Sequence, residues 1–287
     1  MFTQESIGII GMGSMGQAFM RVLSSSYPIF VWNRTPKKYE HDNLQNIQVC
    51  LSINELIDKT DLIIILVDKH SSLVGLLKQI DSLKNKIILN CTTLSPNEAI
   101  ELGQLIQSKS GSLLNSVICN FPRQMGTNEA KLRCSGEPSV WKKYFNFIKL
   151  LSPNAEYLGP NPASVNVIDT LTVGLYTTII ISYLESQQLA EKYEISNEEL
   201  QQRIKNLWPT VQTQIELYNK EISSNSFSES EARISAFHTS SKAFISTYES
   251  VGIKPQMLSA MSRILDQAVA AQKKELSISA IFKLISS

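Results

Sequence analysis

The first half of the chain alternates short, continuously apolar runs with amphipathic segments. The runs cover 7–10, 29–32, 47–50, 62–67, 87–90, 113–118 and 131–135. Strands buried on both faces read this way, whereas a sheet with one wet face alternates residue by residue. The pattern predicts a doubly wound α/β domain with a parallel sheet. Among the intervening helices, 96–109 has the firmest start, because Ser95, Pro96 and Glu98 supply an N-cap, a first-turn proline and a capping-box acid.

Near Pro160 the pattern changes. From 163 to about 193 there is no proline and a single glycine, Gly174, which predicts one helix of about thirty residues, roughly 45 Å long. Most of its sides are apolar, so other helices must pack around it, some of them from a second subunit. The stretch 165–184 has the apolarity of a membrane span, but it contains Asn166, Asp169 and several Thr and Ser and lacks flanking cations, so it reads as a buried helix. Helices are also expected at 198–217, 229–249 and 255–273, with a Ser-rich connection at 223–230. The division falls near Asn161, giving a nucleotide domain 1–161 and an all-α domain 162–287 that starts with the long interdomain helix.

Composition narrows the function. Of 287 residues, 27 are Lys or Arg and 26 are Asp or Glu, so the net charge of +1 offers no basic field for a nucleic-acid backbone. Cys50, Cys91, Cys119 and Cys134 form no CxxC and have no histidine pair nearby, which leaves no local metal site. The first residues lack the features of a secretory signal, so a cytoplasmic protein with reduced thiols is expected.

Gly11-Met12-Gly13-Ser14-Met15-Gly16 follows the first predicted strand and opens a helix. That context turns GxGxxG into a dinucleotide fingerprint: a tight turn at Gly11, close pyrophosphate approach at Gly13, helix-to-sheet contact at Gly16 and an anion at the helix N-terminus. At the end of the next strand an NAD site places an acid for the ribose hydroxyls, whereas this chain has Asn33-Arg34-Thr35-Pro36-Lys37-Lys38. Arg34, with Asn33, Thr35 and Lys38 around it, suits a 2′-phosphate, so the expected cofactor is NADPH. Val67 and Asp68, and then Cys91, Thr92 and Thr93, stand at the ends of the next two strands and are expected along the same crevice. Thr92 and Thr93 fit either nicotinamide contacts or plain turn chemistry.

A GxGxMG domain, a long helix and an all-α domain together resemble the plan of the β-hydroxyacid dehydrogenases and 6-phosphogluconate dehydrogenase. That resemblance implies a lysine on the long helix as acid and base, yet no Lys or Arg occurs between Lys149 and Lys192, and the Ser-Gly-Gly substrate segment is missing from 115–126. Pro122 with Gly126, Ser135-Gly136, and Leu158-Gly159-Pro160-Asn161-Pro162 leading to Asp169 resemble instead the imine reductases, an NADPH-dependent branch of the same superfamily. The resemblance implies hydride transfer to a cyclic imine or iminium. It also implies a homodimer in which each site combines one chain's nucleotide domain with helices of the other.

Asp169 is the expected catalytic residue. It is the only charged side chain between 164 and 178, and a lone carboxyl on an apolar helix is costly to bury without a purpose. A carboxylate attracts an iminium cation that a lysine would repel, and one with a raised pKa also donates a proton to a neutral imine. Pro122 and Met125 are expected along the substrate pocket. Tyr176, seven residues beyond Asp169 on the same helix face, is a candidate pocket wall, and His238 is an alternative proton donor. Two alternatives use the same fold: a β-hydroxyacid or small-aldehyde dehydrogenase that works without lysine, and a non-catalytic NADP-binding protein.

Overall fold

The computed structural model describes residues 5–35, 46–228 and 233–285. Two compact units form along the chain, Met1–Leu175 and Tyr176–Ser287. The sequence division at Asn161 falls just before the long helix, whereas the compact units part within it. The reason is local: Val165 and Asn166, in the first turn of that helix, are buried within the first unit.

The first unit is built on an eight-stranded sheet in the order β3-β2-β1-β4-β5-β6-β7-β8. Its strands are β1 (Ile7–Ile10), β2 (Ile29–Trp32), β3 (Ile47–Val49), β4 (Leu62–Ile65), β5 (Ile87–Asn90), β6 (Ser112–Ile118), β7 (Leu132–Gly136) and β8 (Glu156–Tyr157). Pairing is parallel from β3 across to β6; β7 runs antiparallel to β6, and β8 parallel to β7. β1 lies between β2 and β4, so the winding direction reverses beside it and opens a crevice at its carboxyl end. Every residue of β1 and β4 is buried, as their unbroken apolar runs require.

Helices α1 (Ser14–Leu23) and α5 (Pro138–Leu151) cover one face, burying Phe19, Leu23, Phe147 and Ile148. The other face is covered by α2 (Ile53–Lys59), α3 (His70–Leu77) and α4 (Pro96–Ser108), which bury Leu56, Leu73, Leu77, Leu102 and Ile106. Each such side chain contributes about 1.5–3 kcal/mol. At the start of α4 the Ser95 hydroxyl accepts from Glu98 N (3.4 Å) and the Glu98 carboxylate accepts from Ser95 N (2.8 Å), the reciprocal cap expected from the sequence.

The long helix α6 runs over Ser164–Lys192, within one residue of expectation at each end. Beyond its first turn it is not buried within the chain, which corrects the reading of 165–184: Leu171, Leu175, Tyr176, Ile181 and Leu184 are all exposed. By length and composition this helix also suffices to cross a membrane. The second unit continues with α7 (Asn197–Ser224), α8 (Ile234–Ser250), α9 (Gln256–Ala270) and α10 (Phe282–Ile285), the last preceded by a 3-10 turn at Ile278–Ile281. α7 passes through Pro209, as expected, and then runs beyond its expected end into the Ser-rich segment, where the Ser223 and Ser224 hydroxyls bond back to the carbonyls of Asn219 and Lys220. The core of this unit is small, centred on Ile234, Leu265, Ala268 and Ala280.

Candidate nucleotide-binding and active site

At the carboxyl end of β1, Gly11 has φ +96°, and a Cβ there would lie 2.1 Å from the Leu66 carbonyl oxygen, so only glycine fits. A Cβ on Gly16 would lie 2.1 Å from the Gly11 oxygen, which is the close helix approach expected of the fingerprint. Gly13 has open space on its Cβ side, leaving its backbone accessible to a ligand. The first intrahelical bond of α1 is Gln17 N to Gly13 O (3.0 Å), so the N–H groups of Ser14, Met15 and Gly16 precede it at the positive end of the helix.

A cavity of about 490 Å³ adjoins this turn. It brings together seven residues expected from the sequence: Gly11, Gly13, Asn33, Arg34, Thr35, Val67 and Asp68. Lys38 lies outside the described residues. Trp32, Ser72, Gly75, Leu76 and Gln79 also line the cavity, and sequence reasoning missed Ser72, Gly75 and Leu76 of α3 and Gln79 just beyond it. A spacing of four residues links Asp68 to Ser72, whose hydroxyl bonds the carboxylate. That bond is the main cause holding the Asp68 carboxyl below its ordinary range, and the Arg34 charge adds to it.

Four residues expected along the cofactor, Asn33, Met12, Thr92 and Cys91, make structural contacts within the protein. Asn33 does not face the cavity as a free amide: its Oδ1 accepts from Met12 N (2.9 Å) and its Nδ2 donates to Thr35 O (2.6 Å). It braces the glycine turn and takes up the Met12 N–H. The Met12 side chain lies wholly in the core. Thr92 is buried too, and its hydroxyl accepts from Val67 N (3.2 Å), which ties the end of β4 to the end of β5. Thr93 beside it is exposed. The Cys91 thiol, 3.1 Å from the Ser116 hydroxyl, is pushed up to about 12 by burial and is therefore a neutral packing group.

Pro122 opens a 3-10 turn, Pro122–Gln124, held by Arg21 Nη2 donating to Pro122 O (3.1 Å). Met125 does not line a pocket. It is 3% exposed and packs in the core between this turn and the left-handed Gly126, because the turn directs it inward. Arg123 sits 6.0 Å from the Phe121 ring centre.

Asp169 is half-buried on α6. Burial pushes its carboxyl up from the ordinary value, and the charge of Arg133 on β7 opposes that rise. Arg133 is itself held by Glu156 on β8 (3.0 Å) and donates to the Cys119 sulfur (3.5 Å). The sequence did not reveal this cation, because an antiparallel strand and a two-residue strand bring the three groups together. In the second unit Tyr176 is exposed, while the His238 ring bonds Asp266 (2.8 Å), which also receives Lys242 (2.7 Å).

Comparisons with known proteins agree with this architecture. Residues 6–159 match the family described as the NAD binding domain of 6-phosphogluconate dehydrogenase, and residues 161–287 match the NADPH-dependent reductive aminase-like C-terminal domain. A relative from Aspergillus oryzae, an NADPH-dependent reductive aminase, is 30% identical over 176 residues, which are 60% of this chain and 59% of that protein. The chain thus spans less than two thirds of that relative. Among solved structures, an imine reductase from Bacillus cereus BAG3X2 superposes with TM-score 0.89 at 18% identity, covering 99% of this chain and 100% of the other. A reductive aminase from Aspergillus terreus, in complex with NADPH and ethyl levulinate, gives 0.91 at 18%, with the same coverage. These likenesses establish the fold. The chain belongs to the 6-phosphogluconate dehydrogenase type of NAD-binding proteins, with a second half of the reductive aminase-like kind.

Proposed function

We propose that the protein is an NADPH-dependent reductase of C=N bonds, taking a cyclic imine or iminium to the amine. The observation that carries this reading is Asp169: a half-buried carboxyl, raised by burial, on a helix with no Lys or Arg from one end to Lys192. The cofactor comes from the names of the Aspergillus relatives, an NADPH-dependent reductive aminase in one case and one bound to NADPH in the other, and the imine from the name of the Bacillus cereus structure.

The cavity fits the cofactor on its own chemistry. The open side of Gly13 and the N–H groups of Ser14, Met15 and Gly16 suit a pyrophosphate, while exposed Arg34 and Thr35 on the rim suit a 2′-phosphate. Val67 and Asp68 on the cavity wall would flank the bound cofactor, and the exposed Thr93 would be free to contact it. When bound, NADPH supplies a hydride. Asp169 holds the cationic nitrogen as its carbon accepts that hydride and the C=N electron pair moves onto nitrogen; with a neutral imine, Asp169 in its protonated form also delivers the proton. A lysine ammonium at this position would repel the iminium cation.

On the same reading, the exposed apolar face of α6 and the apolar side chains Leu207, Trp208 and Ile215 of α7 are covered by a second copy in a homodimer. Asp169, together with Thr170 and Thr172 whose hydroxyls bond back to the helix carbonyls, suits a protein partner better than lipid. We place the protein in the cytoplasm, where its four free thiols stay reduced.

The test is NADPH oxidation with 1-pyrroline, run in parallel with oxidation of a short β-hydroxyacid. Turnover is expected only with the imine. Asp169→Ala should lower it by about 10²–10³-fold with NADPH affinity retained. Preference for the hydroxyacid, or full turnover by the variant, refutes the proposal.

A further inference from the structure

Three buried asparagines on three elements form a continuous chain in the first unit. Asn90 at the end of β5 donates from Nδ2 to Asn115 Oδ1 on β6 (2.8 Å), and Asn115 Nδ2 donates to Asn166 Oδ1 on α6 (2.7 Å). Asn166 Nδ2 donates to Leu94 O (2.9 Å), and Asn115 also donates to Pro162 O (2.7 Å). At the other end, Asn90 exchanges bonds with the backbone of Thr92, the residue that holds Val67 N on the cavity wall. None of the three asparagines is more than 1% exposed.

Both Nδ2 hydrogens of Asn90 and of Asn115 are used, so each amide has one permitted orientation and the chain has a direction. Apolar side chains in the same places would stabilise the fold without that demand, and they would tolerate small rotations of the helix. A satisfied amide chain does not, since turning α6 leaves buried donors unpaired at about 1–3 kcal/mol each. Asp169 lies three residues beyond Asn166, about 4.5 Å along the axis and about 60° around it. At a side-chain radius of about 6 Å, a 15° turn of the helix carries the carboxyl about 1.5 Å.

We infer that Asn115 and Asn166 are positioning residues for C=N reduction: their amide chain fixes the rotation of α6 and so the bearing of Asp169. The inference rests on the function proposed for Asp169, and the experiment separates the two. Asn166→Leu keeps the branching at Cγ and removes both side-chain bonds. With 1-pyrroline it should lower kcat about 30- to 100-fold, the scale of a misplacement near 1 Å, while KM and the Kd for NADPH stay within about three-fold. In an Asp169→Ala background the same substitution should change kcat by less than about three-fold, because the group it positions is gone. Asn166→Ser retains an acceptor for Asn115; it serves where the leucine variant does not fold, with an expected loss of about 5- to 10-fold. A folded Asn166 variant with wild-type kcat, or one with an undiminished loss in the Asp169→Ala background, overturns the inference alone. Turnover untouched by Asp169→Ala overturns both.

Discussion

The two units solve the burial problem differently. The first closes its own core: its sheet is sandwiched by five helices, and side chains such as Phe19, Leu56, Ile64 and Ile106 are fully removed from water. The second buries little. α7 contributes no buried residue over 28 positions, and the apolar side of α6 meets solvent. A chain whose halves differ this way has one part that folds on its own contacts and another that depends on a further surface. For the proposed enzyme, the dependent part is also the one expected to complete the site.

The largest test of this contrast is to charge the open face. Ile181→Asp combined with Leu184→Asp should reduce the mass seen by light scattering from twice 32.1 kDa to that value and abolish imine turnover, while NADPH still binds the first unit. An unchanged mass of twice the chain would dismiss the face as the interface. Next in size, Leu56→Ala should cost about 2–5 kcal/mol in urea unfolding at any protein concentration. Ile181→Ala should instead give a loss that varies with concentration, as coupled association requires. Arg34→Ala tests the cavity of the self-sufficient unit: NADPH affinity should fall about 10- to 100-fold by calorimetry and NADH affinity by no more than about two-fold. Equal losses would remove Arg34 from phosphate recognition.

Smaller effects follow at Ser95 and Asp169. Ser95→Ala should remove about 1 kcal/mol, read as a shifted urea midpoint at constant slope. Because burial raises the Asp169 carboxyl, the folded chain keeps that proton to higher pH than the unfolded chain does. Its ionisation therefore subtracts stability as pH rises through the folded pKa, and the penalty is absent below the ordinary value of 3.8. Asp169→Asn should raise Tm on the order of 1–2 °C at pH 8, with the gain fading by pH 4.

Much of this was legible in the chain. Local grammar carried the glycine turn, the capped helix at 96–108 and the span of α6, because each rests on neighbours within a few residues. What depended on distant partners was not. β8 is two residues long and exists only by pairing with β7. α7 continues past Leu217 into the Ser-rich segment that reads as a connection. Met125 looked like a pocket residue beside Pro122, yet the 3-10 turn before it directs it into the core. The Arg133 charge at Asp169 and the three-asparagine chain each need several strands in register before they appear.

The brace from Asn33 to Met12 N has a practical consequence for anyone wishing to switch the proposed reductase to the cheaper coenzyme. The residue next to the guanidinium is structurally welded to the glycine turn, so an acid introduced there to welcome a bare ribose also withdraws a support from the diphosphate cradle. Re-engineering of coenzyme choice should begin at Arg34 and Thr35 and leave their neighbour in place.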